Sequence, residues 1–198
     1  MKIAVGLKAH SGWAALVSVA APDGVPQVVE RRRIELIDPE DAYWAKQPYH
    51  AAEGLDPGEA RDVVKRGVRS ARRLAVREVR ALLARAKEAK HEIAALAVLT
   101  AEPMPDWSVD EILAVHFRMH KAEGVLFRDA LARATEACGV RLVAILEKEL
   151  PSVAERALAT PRAGLAKRIA ALGDGIGAPW AKDQKDAALA ALVALRGR

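Results

Sequence analysis

The order of strand and helix patterns along this chain is the feature that most constrains its fold. Three strand-like segments separated by turn residues come first, and helical and strand patterns then alternate. The predicted strands are Ile3–Leu7, Trp13–Ala20, Gln27–Ile37, Ile93–Thr100 and Val140–Leu146. Consecutive strands joined by short turns form an antiparallel meander, whereas strands joined through helices pair in parallel. The order βββαβαβ therefore predicts an α/β fold with a five-stranded mixed sheet.

Residues that begin and end helices place the helices between these strands. Asp56 and Pro57 are typical of a helix start, and the apolar spacing after them predicts a helix that continues to about Lys90. Ser108 and Glu111 have the spacing of a capping box, so a second helix is expected from Val109 to about Cys138. A last helix is expected over residues 182–195.

Length and composition predict a single soluble domain over residues 1–198. Hydrophobic residues make up 52% of the chain, but no apolar run reaches the roughly 18 residues that a membrane span needs. The segment Met1–Lys8 has no long apolar stretch, so we expect neither a signal peptide nor a membrane partner. The single cysteine, Cys138, cannot form an intrachain disulfide, which favours a cytoplasmic location.

Three short segments resemble RuvC-type Holliday junction resolvases and their RNase H-like relatives. They are Ile3–Trp13 at the first strand and turn, Lys121–Val125 on a helix, and Asp183–Ala190 near the C-terminus. The resemblance implies an RNase H-like fold with the strand order 3-2-1-4-5 and the first three strands antiparallel. It also implies cleavage of nucleic acid by two divalent metals held by four carboxylates. Such metals prefer oxygen ligands and stabilise the attacking and leaving oxygens of a phosphodiester.

This chain has only part of the set of residues that binds metal in the family. Asp183 and Asp186 correspond to the C-terminal pair, and Glu102 corresponds loosely to the acid that follows the central strand. The family's first-strand aspartate falls on Lys8, which offers no ligand oxygen. The resemblance therefore implies a degenerate site in which Lys8 pairs with Asp183 or Asp186. If the acids retain a metal, Mg²⁺ or Mn²⁺ is expected; alternatively, the two aspartates only offset a helix dipole.

A second group of candidate residues lies on the helix predicted over residues 109–138. His116, His120 and Glu123 are spaced i, i+4 and i+7, with His120 inside the expected apolar stripe and the other two at its edge. Two imidazoles and a carboxylate at this spacing bind zinc or form a general base held by an acid. The alternative is a hydrogen-bonded cluster that serves structure alone.

Polar residues near the end of the first strand form a candidate pocket. Ligands of open α/β sheets bind at the carboxyl ends of the strands, where Lys8, His10 and Ser11 are expected. If the aromatic-rich loop that holds His50 covers this edge, His10, His50 and the two helix histidines converge.

Positive charge is concentrated in the first long helix. Residues 61–90 contain eleven Lys or Arg against three Asp or Glu, a net charge of +8 in a chain whose total is +5. We call the helically spaced arginines on one face of this helix the arginine ridge: Arg66, Arg69, Arg73, Arg77 and Arg80. The ridge spans about 21 Å and suits the phosphate backbone of DNA or RNA, although a solvated face explains it as well.

These patterns lead to three hypotheses. The first is a degenerate RuvC-like domain that binds nucleic acid through the arginine ridge. The second is a metal-dependent nuclease or hydrolase that uses Glu102, Asp183 and Asp186, or the group of His116, His120 and Glu123. The third is an interaction module without chemistry, in which the long helices form the face of a homodimer.

Overall fold

A computed structural model describes residues 1–197, so Arg198, the last residue of the expected domain, lies outside the described residues. The strands are β1 (Lys2–His10), β2 (Trp13–Ala20), β3 (Gln27–Glu35), β4 (Glu92–Thr100) and β5 (Leu142–Leu146). The helices are α1 (Ala42–Ala45), α2 (Pro48–Ala51), α3 (Pro57–Glu88), α4 (Val109–Leu113), α5 (His116–Ala137), α6 (Leu150–Leu158), α7 (Arg162–Ala171) and α8 (Lys182–Arg196).

The five strands form one mixed sheet in the order β3-β2-β1-β4-β5. β1, β2 and β3 are antiparallel, whereas β1, β4 and β5 are parallel to one another. The predicted fold class and strand order are thus confirmed. The arrangement places the ends of β1, β4 and β5, at His10, Thr100 and Leu146, along one edge of the sheet.

Helices cover both faces of the sheet. α3 and α5 bury their apolar sides against one face, and α6, α7 and α8 cover the other. α8 approaches β1 unusually closely, because a Cβ atom at Gly6 would lie 1.8 Å from the carbonyl oxygen of Ala187. Small residues on both elements allow this approach, and the buried face of α8 consists largely of alanine. The close contact holds the first turn of α8 beside the end of β1.

The second long helix differs from its prediction. Residues 109–138 form two helices, α4 and α5, with Val115 in an extended conformation before α5 begins. The predicted capping box of Ser108 and Glu111 is present, and Gly139 follows α5 with a φ of 70°. The apolar stripe expected through Leu113, Phe117, Gly124, Phe127 and Leu131 is buried at Phe127 and Leu131 but exposed at Phe117 and Gly124, so the buried face of α5 is rotated from the expected one.

This phase shift reverses the expected burial of the candidate residues on α5. Phe117, expected inside the apolar stripe, is 71% exposed, whereas Met119 and Leu126 are buried. His120 is exposed rather than buried, and Glu123 is buried rather than at the edge. The expected placement of these side chains was therefore wrong.

Other element boundaries shift by a few residues. β5 begins at Leu142, and β3 ends at Glu35. Asp56 precedes α3 as expected, but its side chain accepts no capping hydrogen bond. The stretch between Asp38 and Leu55, which includes the aromatic-rich segment expected to be a loop around His50, contains the short helices α1 and α2. In the described part of the chain, no helix is both long and apolar enough to cross a membrane.

Candidate functional site

The side chain of Lys8 lies at the centre of a group of acids. Lys8 is on β1, paired with β2 on one side and next to β4 on the other, and is only 4% exposed. Its Nζ donates a hydrogen bond to Asp186 Oδ2 at 2.7 Å. The same Nζ lies 3.0 Å from Glu147 Oε1 and 3.3 Å from Asp183 Oδ1. We call Lys8, Glu147, Asp183 and Asp186 the Lys8–acid cluster.

Further basic side chains neutralise the remaining charge of this cluster. Arg128 donates to Glu147 Oε2 at 2.7 Å, and Lys182 donates to Asp186 Oδ2 at 2.5 Å. With Lys8, these two residues give three permanent positive charges against three carboxylates. His10 Nε2 also lies 3.1 Å from Asp183 Oδ1. The cluster is therefore balanced in charge without any added ion.

The pKa values of the cluster follow from these contacts. Burial lowers the pKa of Lys8, but the carboxylates of Asp186 and Glu147 outweigh this and raise it above its ordinary value. Burial raises the pKa of Glu147, yet Lys8 and Arg128 bring it below its ordinary value. Burial also raises the pKa of Asp183, but the opposing effect of His10 and Lys8 is larger, so this pKa lies below its ordinary value. All three groups therefore stay charged at neutral pH.

The acids in the cluster differ from the set that the sequence predicted. Glu102 is not among them, because its exposed carboxylate pairs with Lys148. Glu147, which follows β5 directly, takes the third acidic position and was not predicted. Its position at the carboxyl end of a predicted parallel strand is the signal that would have identified it. A cavity of about 440 Å³ beside the cluster is lined by both glutamates and by Arg128, Lys148 and Lys182.

The candidate pocket residues are divided between two places. Lys8 and His10 belong to the acid site, where the His10 ring stacks on Trp13 with a centroid distance of 4.4 Å. The guanidinium of Arg33 lies 3.9 Å from the centre of the same indole. Ser11 lies in the turn after β1 and lines a smaller cavity with His10 and Glu123. The ring of His50 instead lies next to those of His116 and His120.

Three histidines meet at a second place, on α2 and α5. Ligand atoms of His50, His116 and His120 lie within 4.8 Å of one another, and we call these residues the three-histidine cluster. Glu123, expected as the third member, instead accepts hydrogen bonds from the backbone amides of Tyr49 at 2.8 Å and His50 at 3.3 Å. Burial raises the pKa of Glu123 to about 7 despite these bonds.

The arginine ridge is solvent-exposed along its whole length on α3. Arg73 pairs with Asp38 at 2.7 Å, Arg77 pairs with Glu78, and Arg66 stacks on Trp44 at 4.5 Å. Neither Arg69 nor Arg80 makes an ion pair with another residue in the range 1–197. At least two guanidinium groups of the ridge thus face solvent without a protein anion.

Comparison with solved structures identifies the fold. Thermus thermophilus RuvC in complex with a Holliday junction substrate aligns with a TM-score of 0.52 and 14% sequence identity, covering 98% of this chain and 92% of that one. The fold is RNase H-like, similar to that of RuvC. Thermus thermophilus RuvC in a second structure gives a TM-score of 0.51 and 17% identity, covering 96% of this chain and 92% of that one. No protein-family model and no curated protein matches the chain.

The divalent metals that a RuvC-like fold implies do not fit this site. Glu147, Asp183 and Asp186 offer suitable oxygen atoms, but the ammonium of Lys8 lies within 3.3 Å of all three. A magnesium ion needs oxygens at 2.0–2.1 Å in near-octahedral geometry, and it would be repelled by the adjacent ammonium. Lys8 therefore occupies the position from which a cation would contact these acids.

Proposed function

We propose that the protein is a nucleic-acid-binding domain with a RuvC-like fold that does not cleave phosphodiesters by two-metal catalysis. The observation that carries the loss of catalysis is the contact of Lys8 Nζ with the carboxylates of Glu147, Asp183 and Asp186. The ammonium group of Lys8 supplies the positive charge that metal ions would otherwise supply, but unlike a metal ion it has no coordination position that could activate an attacking water. The acids then stabilise the protein rather than a reaction.

The arginine ridge supports the binding half of the proposal. All five side chains are exposed on one helix, and Arg69 and Arg80 have no anion partner within residues 1–197. The ridge spans about 21 Å, roughly six base-pair steps of a duplex. Guanidinium groups bind phosphate oxygens in a bidentate way, so a row of them suits a nucleic-acid backbone. The Holliday junction in the RuvC structure belongs to that protein and suggests a four-way junction as one substrate to test.

Fluorescence anisotropy with labelled duplex and four-way-junction DNA over a series of salt concentrations tests the binding. The variant Arg69→Ala/Arg80→Ala removes two unpaired charges of the ridge. We expect its affinity to fall at low salt and the slope of log K against log [salt] to decrease by about 1–2, since each lost phosphate contact removes roughly 0.9. The decrease should be similar for different DNA sequences, because phosphates carry no base identity.

A charge-matched control separates the effect of the arginine ridge on DNA binding from the effect of the protein's net charge. Arg156→Ala/Lys167→Ala removes two exposed charges from α6 and α7, which cover the opposite face of the sheet. This control should bind as the unchanged protein does. Equal losses in both variants, or no binding by the unchanged protein at low salt, would overturn the proposed interface.

The same DNA samples test the loss of cleavage. We expect both DNAs to stay intact with Mg²⁺ or Mn²⁺ under conditions in which binding is saturated. Cleavage that disappears in Asp183→Asn would contradict the proposal, because it would show that the acids of the Lys8–acid cluster still catalyse. Cleavage that survives this substitution would come from another site or a contaminant and would leave the assignment of Lys8 standing.

A further inference from the structure

The three-histidine cluster shares no residue with the Lys8–acid cluster or with the arginine ridge. His50 comes from α2, whereas His116 and His120 occupy successive turns at the start of α5. The ring centroid of His50 lies 5.3 Å from that of His116 and 4.7 Å from that of His120. His116 Nε2 and His120 Nε2 are 3.0 Å apart. Three imidazoles from two elements thus converge on one point.

His50 is the residue whose environment is unexplained by protein contacts alone. Both of its ring nitrogens are buried, and neither has a hydrogen-bond partner within residues 1–197. A buried polar nitrogen without a partner lowers the stability of a protein, so such a group normally has a ligand, a water or a side chain beside it. The two histidines of α5 contact each other through their Nε2 atoms, and neither forms a hydrogen bond with His50.

Two carboxylates lie on the Nδ1 side of two of these imidazoles, just beyond hydrogen-bond distance. Glu123 Oε1 lies 3.5 Å from His50 Nδ1, and Glu53 Oε1 lies 3.7 Å from His116 Nδ1. A carboxylate on the Nδ1 side of an imidazole orients the ring and leaves Nε2 to the metal. The 3.0 Å between the Nε2 atoms of His116 and His120 is close to the roughly 3.3 Å edge of a tetrahedron with zinc–nitrogen bonds of 2.0–2.1 Å.

We propose that His50, His116 and His120 bind one Zn²⁺ ion through three neutral imidazoles. Imidazole suits zinc and related transition metals, whereas Mg²⁺ and Ca²⁺ prefer oxygen ligands. His116 and His120 are exposed, so the fourth position of a tetrahedral ion faces solvent and takes a water molecule. The ion fastens the segment of α2 to the start of α5, and it does so independently of nucleic-acid binding.

Calorimetric titration of tag-free, metal-stripped protein with Zn²⁺ tests this proposal. We expect one equivalent to bind per chain, and Co²⁺ in its place to give the visible absorption of a tetrahedral nitrogen site. His116→Ala and His120→Ala should each weaken binding at least tenfold, and Glu53→Gln should weaken it by about 10-fold or less. His116 and His120 are exposed, so these variants should fold normally, which circular dichroism checks.

His91→Ala is the matched control, because His91 lies between the C-terminal end of α3 and the start of β4, whereas α2 precedes the N-terminal end of α3. It should bind zinc with unchanged affinity. Binding of Zn²⁺ should also raise the melting temperature of the unchanged protein but not that of His120→Ala. Absence of zinc binding at neutral pH would overturn the site, as would zinc affinities of His116→Ala and His120→Ala equal to that of the unchanged protein. A stoichiometry of one ion per two chains would also overturn it, because the proposed ligands come from one chain.

Discussion

The Lys8–acid cluster and the three-histidine cluster each gather ionisable side chains, but they differ in what completes them. In the first, three carboxylates meet the ammonium of Lys8, and Arg128 and Lys182 balance what remains. In the second, three groups of the same chemical kind face one another, and the nitrogens of His50 have no partner within residues 1–197. The first cluster is satisfied by the protein itself, whereas our proposal is that a zinc ion completes the second.

The positions of the two clusters make this difference instructive. The satisfied cluster lies at the carboxyl edge of the parallel strands, where α/β proteins usually bind their ligands. The incomplete cluster lies on two helices beside that edge, where the fold alone gives no reason to expect a site. Fold similarity to RuvC therefore indicates where to look for chemistry, but the charge and partners of particular side chains decide whether chemistry is present.

Removing the ammonium from the satisfied cluster should have the largest effect on stability. Lys8→Met keeps the length of the side chain but leaves Glu147, Asp183 and Asp186 facing one another without a central cation. Loss of one partner of a buried ion pair costs about 3–5 kcal/mol, and the partly exposed acids favour the lower end of that range. We expect the free energy of unfolding, measured with urea, to fall by about 3 kcal/mol.

Lys2→Met controls for the loss of one lysine from the same strand, because Lys2 is exposed at the start of β1. It should change the free energy of unfolding by less than about 0.5 kcal/mol. If Lys8→Met were no more harmful than Lys2→Met, Lys8 would not be the centre of the cluster, and the contrast between the two clusters would disappear.

The sequence predicted the sheet because strand order depends on patterns that are local. Each strand is a short apolar or alternating run between turn residues, and the alternation of strands with helices restricts the topology. The sequence also placed Lys8 correctly against the two aspartates of α8, through the resemblance to RuvC. That pairing is observed as the contact of Lys8 with Asp183 and Asp186.

The remaining members of both clusters depend on contacts that no local pattern shows. Glu147 replaces Glu102 because the end of β5, rather than the loop after β4, brings a carboxylate to Lys8. Glu123 is buried because α5 turns the face of Met119 and Leu126 inward, rather than the face of Phe117. His50 joins the histidines of α5 because α2 folds against that helix, which the spacing within α5 could not indicate.

Removing the charge of Asp183 from the Lys8–acid cluster should have the second-largest effect on the free energy of unfolding. A carboxyl whose folded pKa is below its unfolded value stabilises the fold above the unfolded pKa, near 4, and this contribution is lost as the pH falls through the folded pKa. Asp183 has a lowered pKa, so Asp183→Asn should reduce the free energy of unfolding at pH 7, by about 1–2 kcal/mol because the side chain is partly exposed.

The difference in free energy of unfolding between Asp183→Asn and the unchanged protein should disappear as the pH falls well below 4, because a protonated aspartate, like asparagine, is uncharged. Urea unfolding at a series of pH values measures it. A gap that stays constant down to the acid limit would mean that Asp183 contributes through shape or packing and not through its charge.

The smallest effect on the free energy of unfolding should come from replacing Lys182, the second lysine that contacts Asp186. Lys8 and Lys182 both donate to Oδ2 of Asp186, at 2.7 and 2.5 Å, yet their side chains are 5% and 77% exposed. Water screens the ion pair of Lys182 with Asp186, and ordering the long lysine side chain costs entropy. Lys182→Ala should therefore lower the free energy of unfolding by less than about 1 kcal/mol. In 1 M salt this loss should shrink further, because the Debye length falls to about 3 Å. A loss as large as that of Lys8→Met would show that distance to the carboxylate, and not burial of the cation, determines the strength of this cluster.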